Sequence, residues 1–156
     1  MSAQRAVRWP SPLPRPDGIV GYAPGAYDLF HVGHLNLLRR AWLRCDHLIA
    51  GVVSDEVALR QKGRLPVVPE LERLAVVQAM DVVDDAVLEL TTDKLLTWRS
   101  VRFDVVFKGD DWRGSPTWTA LEERFARVGV RVEYLPYTEH TSTTKLRAAT
   151  AEAAHG

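Results

Sequence analysis

From residue 19 onward, short apolar runs alternate with longer stretches in which apolar residues recur at helical spacing. Five runs read as strands: "IVGYA" (19–23), "HLIAGVVS" (47–54), "AVLEL" (86–90), "FDVVFKG" (103–109) and "VRVEYLP" (130–136). In "HLNLLRRAWLRC" (34–45), Leu35, Leu38, Trp42 and Cys45 recur at helical spacing. "PELERLAVVQAM" (69–80) opens on a proline, and "DKLLTWRSV" (93–101) is a shorter helix. "SPTWTALEERFARVG" (115–129) runs from a Ser-Pro start to a glycine stop, and "STTKLRAATAEAA" (142–154) reads as a capped terminal helix. Strands that are apolar almost throughout are buried on both faces, and helices between them imply parallel neighbours. The expectation is one doubly wound α/β domain, with a five-stranded parallel sheet and helices on both faces.

The first stretch breaks this pattern. Prolines at 10, 12, 14 and 16 remove ladder donors and favour extended chain, so residues 1–17 are expected to form a flexible arm and 18–156 the folded domain. Twenty basic and twenty acidic residues cancel. That balance argues against nucleic-acid or membrane-surface binding by bulk charge, so any basic site must be a local cluster. Cys45 is the only cysteine, so no disulfide can close within the chain, which suits a reducing, cytoplasmic setting. No apolar run approaches the ~20 residues of a membrane span, and the N-terminal stretch lacks the apolar core of a signal peptide.

Ligands of such sheets sit beyond the carboxyl ends of the strands, at the point where the strand order reverses. "GAYDLFHVGH" (25–34) follows the first strand at that place. Gly25 permits a tight turn and Gly33 a close backbone approach. The helix that follows presents free N–H groups to an anion, and His31 and His34 can donate to phosphate oxygens. Zinc is the rival reading of two histidines three apart. It needs further ligands, for which Cys45 and His47 are the nearest candidates in sequence. "FKGDDW" (107–112) ends another strand at the same edge.

The same residues resemble the H-x-G-H nucleotidyltransferase superfamily, in its cytidylyltransferase branch, with glycerol-3-phosphate cytidylyltransferase-like enzymes the nearest likeness. The resemblance runs through "SDEVALRQKGRLPVVPELER", "VDDAV" (83–87), "FKGDDW" and "YTEHTSTTKLR" (137–147), in the family's order. It implies a Rossmann-like fold and a homodimer. It also implies a magnesium-dependent reaction in which an acceptor phosphate attacks the α-phosphorus of CTP and pyrophosphate leaves. Under it, His31, His34, Lys62, Arg64 and Arg73 are catalytic, with Lys62 and Arg64 in a basic flap. The nucleotide would meet Gly25, Ala26, Tyr27, Asp28 and Gly33, then Lys108, Gly109, Asp110, Asp111 and Trp112, and finally Tyr137, Thr138, Thr141, Ser142 and Thr143. No protein metal ligand is assigned, the magnesium being carried mainly by the triphosphate.

Two arginines of the family pattern are replaced here, by Asp81 and Tyr137. A pocket so changed is expected to take a small phosphate or phosphonate other than glycerol 3-phosphate, with Asp81 and Arg113 at the acceptor and Lys108 and Arg147 nearby. An adenylyltransferase using ATP is the alternative within enzymes, because its relatives share H-x-G-H and a K-G-x-D stretch. A non-catalytic nucleotide-binding module is the alternative from another class.

Overall fold

The computed structural model describes residues 17–136 and 143–155. Five parallel strands form one sheet: β1 (Val20–Gly25), β2 (His47–Val53), β3 (Asp85–Glu89), β4 (Val105–Gly109) and β5 (Arg131–Leu135), in the order β3-β2-β1-β4-β5. Six helices accompany them: α1 (Val32–Trp42), α2 (Asp55–Lys62), α3 (Glu70–Gln78), α4 (Lys94–Val101), α5 (Pro116–Ala126) and α6 (Thr143–His155), with a 3₁₀ turn at Asp110–Trp112. Registers run from Val20 opposite His47 to Gly25 opposite Val52 between β1 and β2, and pair Tyr22 with Val106 between β1 and β4. After β3, α4 carries the chain across to the far side of β1. The order therefore reverses between β1 and β4, the position where ligands bind in such sheets.

Alternate residues of the strands feed two cores. On one face Ala23, Leu48, Ala50, Val52, Val105 and Phe107 pack with Leu38 and Ala41 of α1 and Leu74 and Val77 of α3. On the other, Val20, Tyr22, Ile49, Val87 and Val106 pack with Val101 of α4 and Trp118, Leu121 and Phe125 of α5. This is the doubly wound α/β fold that the strand pattern predicts. The arm, apart from Asp17, lies outside the described residues. No helix among them is long and apolar enough to cross a membrane.

Three local readings change. The basic stretch before the flap is helical. Ser54 caps α2 by accepting from the Val57 N–H at 3.2 Å, and Gly63 closes it in the left-handed conformation, with φ of 72°. Lys62 therefore sits on the last turn of a helix rather than in a loop. α1 starts at Val32, ahead of the expected His34. Asp84 accepts from the Leu48 N–H at 2.8 Å, while Asp85 already belongs to β3 and meets His47 at 2.8 Å.

Candidate active site

An open cleft of about 270 Å³ lies over the carboxyl ends of β1 and β4. Its wall includes Gly25, Ala26, Tyr27, Asp28, His31, Gly33 and His34 from the first turn, Lys62 and Arg64 from the end of α2, and Lys108, Gly109, Asp111 and Trp112 from β4 and its turn. Arg147 of α6 completes the wall, with Pro24, Leu37, Ala58, Pro66 and Pro136 as apolar lining that the sequence pattern did not single out.

The two histidines are fixed by the helix they begin. His31 is the N-cap of α1, and its Nδ1 accepts from the Gly33 N–H at 3.0 Å. Its own backbone N–H donates to Nδ1 of His34 at 3.2 Å, closing a reciprocal capping box. An Nδ1 that accepts a backbone N–H carries no proton, so each neutral ring bears its hydrogen on Nε2. The His34 ring lies 4.0 Å from His31, 5.3 Å from Phe30 and 5.5 Å from Tyr27 between ring centres. Burial among these rings, then the His31 charge, pushes its pKa down to about 3, and Lys108 and Lys62 add to the effect against Asp28. Burial lowers His31 as well. At neutral pH both are uncharged Nε2–H donors at the cleft.

Asp28 is the knot of the site. Tyr27 and Leu29 on either side of it hold positive φ, 54° and 50°, a conformation unfavourable for such residues and typical of functional turns. The 3 %-exposed carboxylate accepts from the backbone N–H groups of Val67 and Val68, at 2.8 and 2.9 Å, and pairs with Arg147 at 2.6 Å. One side chain thus ties the strap beyond α2 and the terminal helix to the turn that bears the histidines. Nε of Arg147 has no hydrogen-bond partner among the described residues. Lys62 at the cleft rim has its pKa lowered by partial desolvation, then by Arg64 and Arg147. Lys108 donates to the Pro24 carbonyl at 3.4 Å, and its ammonium lies 5.0 Å from the Trp112 ring and 5.5 Å from Trp118. Enclosure of that head, then the Lys94 charge, brings its pKa down to about 8.

Four expected site residues stand elsewhere. Arg73 is 1 % exposed and acts as an internal clamp rather than a phosphate ligand. It donates to the carbonyls of Val68, Ala26 and Val53 at 2.7–2.8 Å and pairs with Asp55 at 2.7 Å. Asp81 is exposed in the turn before β3, at the amino edge of the sheet, because that turn must deliver the chain to the start of a parallel strand. It therefore does not face an acceptor in the cleft. Arg113 lies outside the cleft lining, its guanidinium 4.9 Å from the Tyr134 ring centre. Asp110 is exposed in the 3₁₀ turn, which aims Asp111 rather than Asp110 at the cleft. Tyr137, Thr138, Thr141 and Ser142 lie outside the described residues, and Thr143 begins α6. Among the described residues, no three or more His, Cys, Asp or Glu side chains gather to hold a metal ion. Asp28, the buried carboxylate of the cleft, accepts from Val67, Val68 and Arg147.

The sequence profile of the cytidylyltransferase-like family matches residues 22–149, which takes in every element of this site. The chain belongs to the cytidylyltransferase-like family. Its relatives include the bifunctional protein HldE of Acidiphilium cryptum, 34 % identical over 94 % of this chain and 30 % of that protein. Ethanolamine-phosphate cytidylyltransferase of Arabidopsis thaliana is 34 % identical over 80 % of this chain and 30 % of its own length. The chain therefore spans about three-tenths of these curated relatives. Among solved structures, the lipopolysaccharide core biosynthesis protein of Thermoplasma volcanium superposes with a TM-score of 0.67 at 27 % identity, covering 80 % of this chain and 99 % of that one.

Proposed function

We propose that this chain is a nucleotidyltransferase, and within that class a cytidylyltransferase that moves CMP from CTP to a small phosphate or phosphonate. An acceptor oxygen bonds to the α-phosphorus, the bond from that phosphorus to the β-phosphate oxygen breaks, and pyrophosphate leaves with the electron pair. The acceptor is already an anion, so no protein nucleophile or base is required. Catalysis is then positioning and charge stabilisation. The observation that carries the reading is the histidine capping box, which presents two neutral Nε2–H donors beside a helix N-terminus and a cationic rim. Lys62, Arg64 and Arg147 would meet the phosphates. Magnesium would arrive on the triphosphate and neutralise part of its charge. Asp111, packed against Gly109, would accept from the cytosine amino group beside Trp112.

A pyrophosphate-release screen of CTP, ATP, GTP and UTP against small phosphates and phosphonates tests this. CTP should turn over fastest. With Asp81 away from the cleft, its charge gives no reason to exclude glycerol 3-phosphate, which belongs in the panel. ATP turning over fastest would favour the adenylyl reading that "FKGDD" also permits. Nucleotide binding without turnover would leave a binding module.

A further inference from the structure

Arg73 stands behind the cleft wall rather than in it, and its contacts tie together the segments that bear the donors of the cleft. Nη1 donates to the Ala26 carbonyl at 2.7 Å, in the turn that leads to Asp28, His31 and His34. It also donates at 2.7 Å to the carbonyl of Val53, just ahead of the Ser54 cap of α2, the helix that ends in Lys62. Nε donates to the Val68 carbonyl at 2.8 Å, on the strap that carries Arg64, and Nη2 pairs with Asp55 at 2.7 Å. Three carbonyls from three segments thus converge on one guanidinium. Two of these contacts close a ring. The Val68 peptide is held from both sides, its carbonyl by Arg73 and its N–H by Asp28 at 2.9 Å. Asp28 lies two residues beyond Ala26, whose carbonyl returns to Arg73. Between them Tyr27 holds φ at 54°, a conformation that persists only where its surroundings over-determine it.

Stability alone does not call for this arrangement. Leu74 and Val77 of the same helix already anchor α3 to the sheet, and a buried ion pair is a poor source of stability beside such packing. What the guanidinium supplies is geometry, a rigid planar fork that fixes several acceptors at set angles. We infer that Arg73 is a positioning residue for the transfer site: its fork holds the histidine turn, the head of α2 and the strap in one fixed relation, so that the His31–His34 capping box, Lys62 and Arg64 face the same cleft. The inference rests on the proposed transfer for its catalytic consequence and not for the placement itself.

The placement can be read without substrate, from amide hydrogen exchange at the capping box, where the His31 N–H donates to His34 and the Gly33 N–H to His31. Arg73→Lys keeps the charge and loses the fork. It should speed exchange of the His31, Gly33 and Val68 amides about tenfold or more, while the strand amides of β1 and β2 keep their protection. Asp55→Asn is the control for stability alone. It removes the charge partner but keeps an accepting oxygen there and the three carbonyl contacts. It should lower the unfolding midpoint and leave those amides as in the wild type. The double variant Arg73→Gln with Asp55→Asn removes both charges and the fork. It should speed the same amides, and it keeps the test available should Arg73→Lys fail to fold. Unchanged exchange at the capping box in the variants without the fork, or equal acceleration in Asp55→Asn, would overturn the inference. In steady-state assays with CTP, Arg73→Lys should lose about 10² in kcat, the scale of a misplacement of about 1 Å, with Asp55→Asn little changed. Capping-box amides that speed up while kcat holds would count against the part of the histidines in the transfer and leave the placement standing.

Discussion

His31 and His34 each do two things, and the two can be separated. Both Nδ1 atoms serve the backbone of α1, and both Nε2–H groups serve the cleft. His31→Ala removes cap and donor together, whereas His31→Asn restores a good N-cap and leaves the donor missing. Asparagine should recover about 1 kcal/mol of stability over alanine, measured by denaturant unfolding. Both variants should lose about 10²–10³ in kcat, as should His34→Ala, the usual loss for one oxyanion-type donor. An asparagine variant with near-wild-type turnover would refute the donor role. His34 also carries a pH signature. Its folded pKa, about 3, lies below its ordinary value of 6.5. The unfolded chain therefore binds the extra proton first, so the contribution is complete above about pH 6.5 and is lost as pH falls towards 3. His34→Gln should flatten the stability curve by about 1–2 kcal/mol between pH 7 and 5, read from unfolding midpoints. At this scale the spacing of H-x-G-H was legible, but the cap was not, because histidine is not a customary N-cap residue. Arg73 misled for a physical reason: from sequence, an arginine on an amphipathic helix looks like a surface or ligand group. Only the fold shows three carbonyls and a carboxylate converging on it.

Among elements, the strands and most helices were legible because each apolar run feeds one of two cores. The departures are short. The helix α2 carried its signals openly, with Ser54, Asp55 and Glu56 at the start and Gly63 at the end. Its apolar face, however, is only Val57 and Ala58, too little for a periodicity argument. The strap after it holds almost no secondary structure; Asp28 ties down its Val67 and Val68 amides, and Arg73 its Val68 carbonyl. Asp28→Asn keeps the shape but offers one accepting oxygen where the carboxylate offers two, and it deprives Arg147 of its charge partner. Leaving one such N–H unpaired costs about 1–3 kcal/mol. Hydrogen exchange at Val67 and Val68 should therefore speed up about tenfold or more while the strand amides of β1 and β2 keep their protection. Unchanged exchange at both amides would mean that the strap is held by something other than Asp28.

Across the whole molecule, charge is balanced while the cleft is not. Twenty cations meet twenty anions in the chain, yet the cleft gathers Lys62, Arg64, Lys108 and Arg147 against Asp28 and Asp111. The excess could not be read from composition, since it arises only when the ends of α2, β4 and α6 converge. Nor could it be read position by position. Asp81 looks like a reversal of site charge in sequence, but the fold carries it to the opposite edge of the sheet. A neutral molecule has little long-range field for steering an anion, so under the proposed reaction attraction to a triphosphate would come from this local cluster. Such contacts are screened over about 10 Å at 0.1 M salt. Raising sodium chloride from about 50 to about 500 mM should therefore raise the KM for CTP several-fold with kcat little changed, in steady-state assays. The double variant Lys62→Ala with Arg64→Ala removes two of the four cations without touching the histidines. It should start from a higher KM and show a visibly shallower dependence on salt. A KM that ignores salt in the wild type, or an equal slope in the double variant, would place the triphosphate away from the α2 rim.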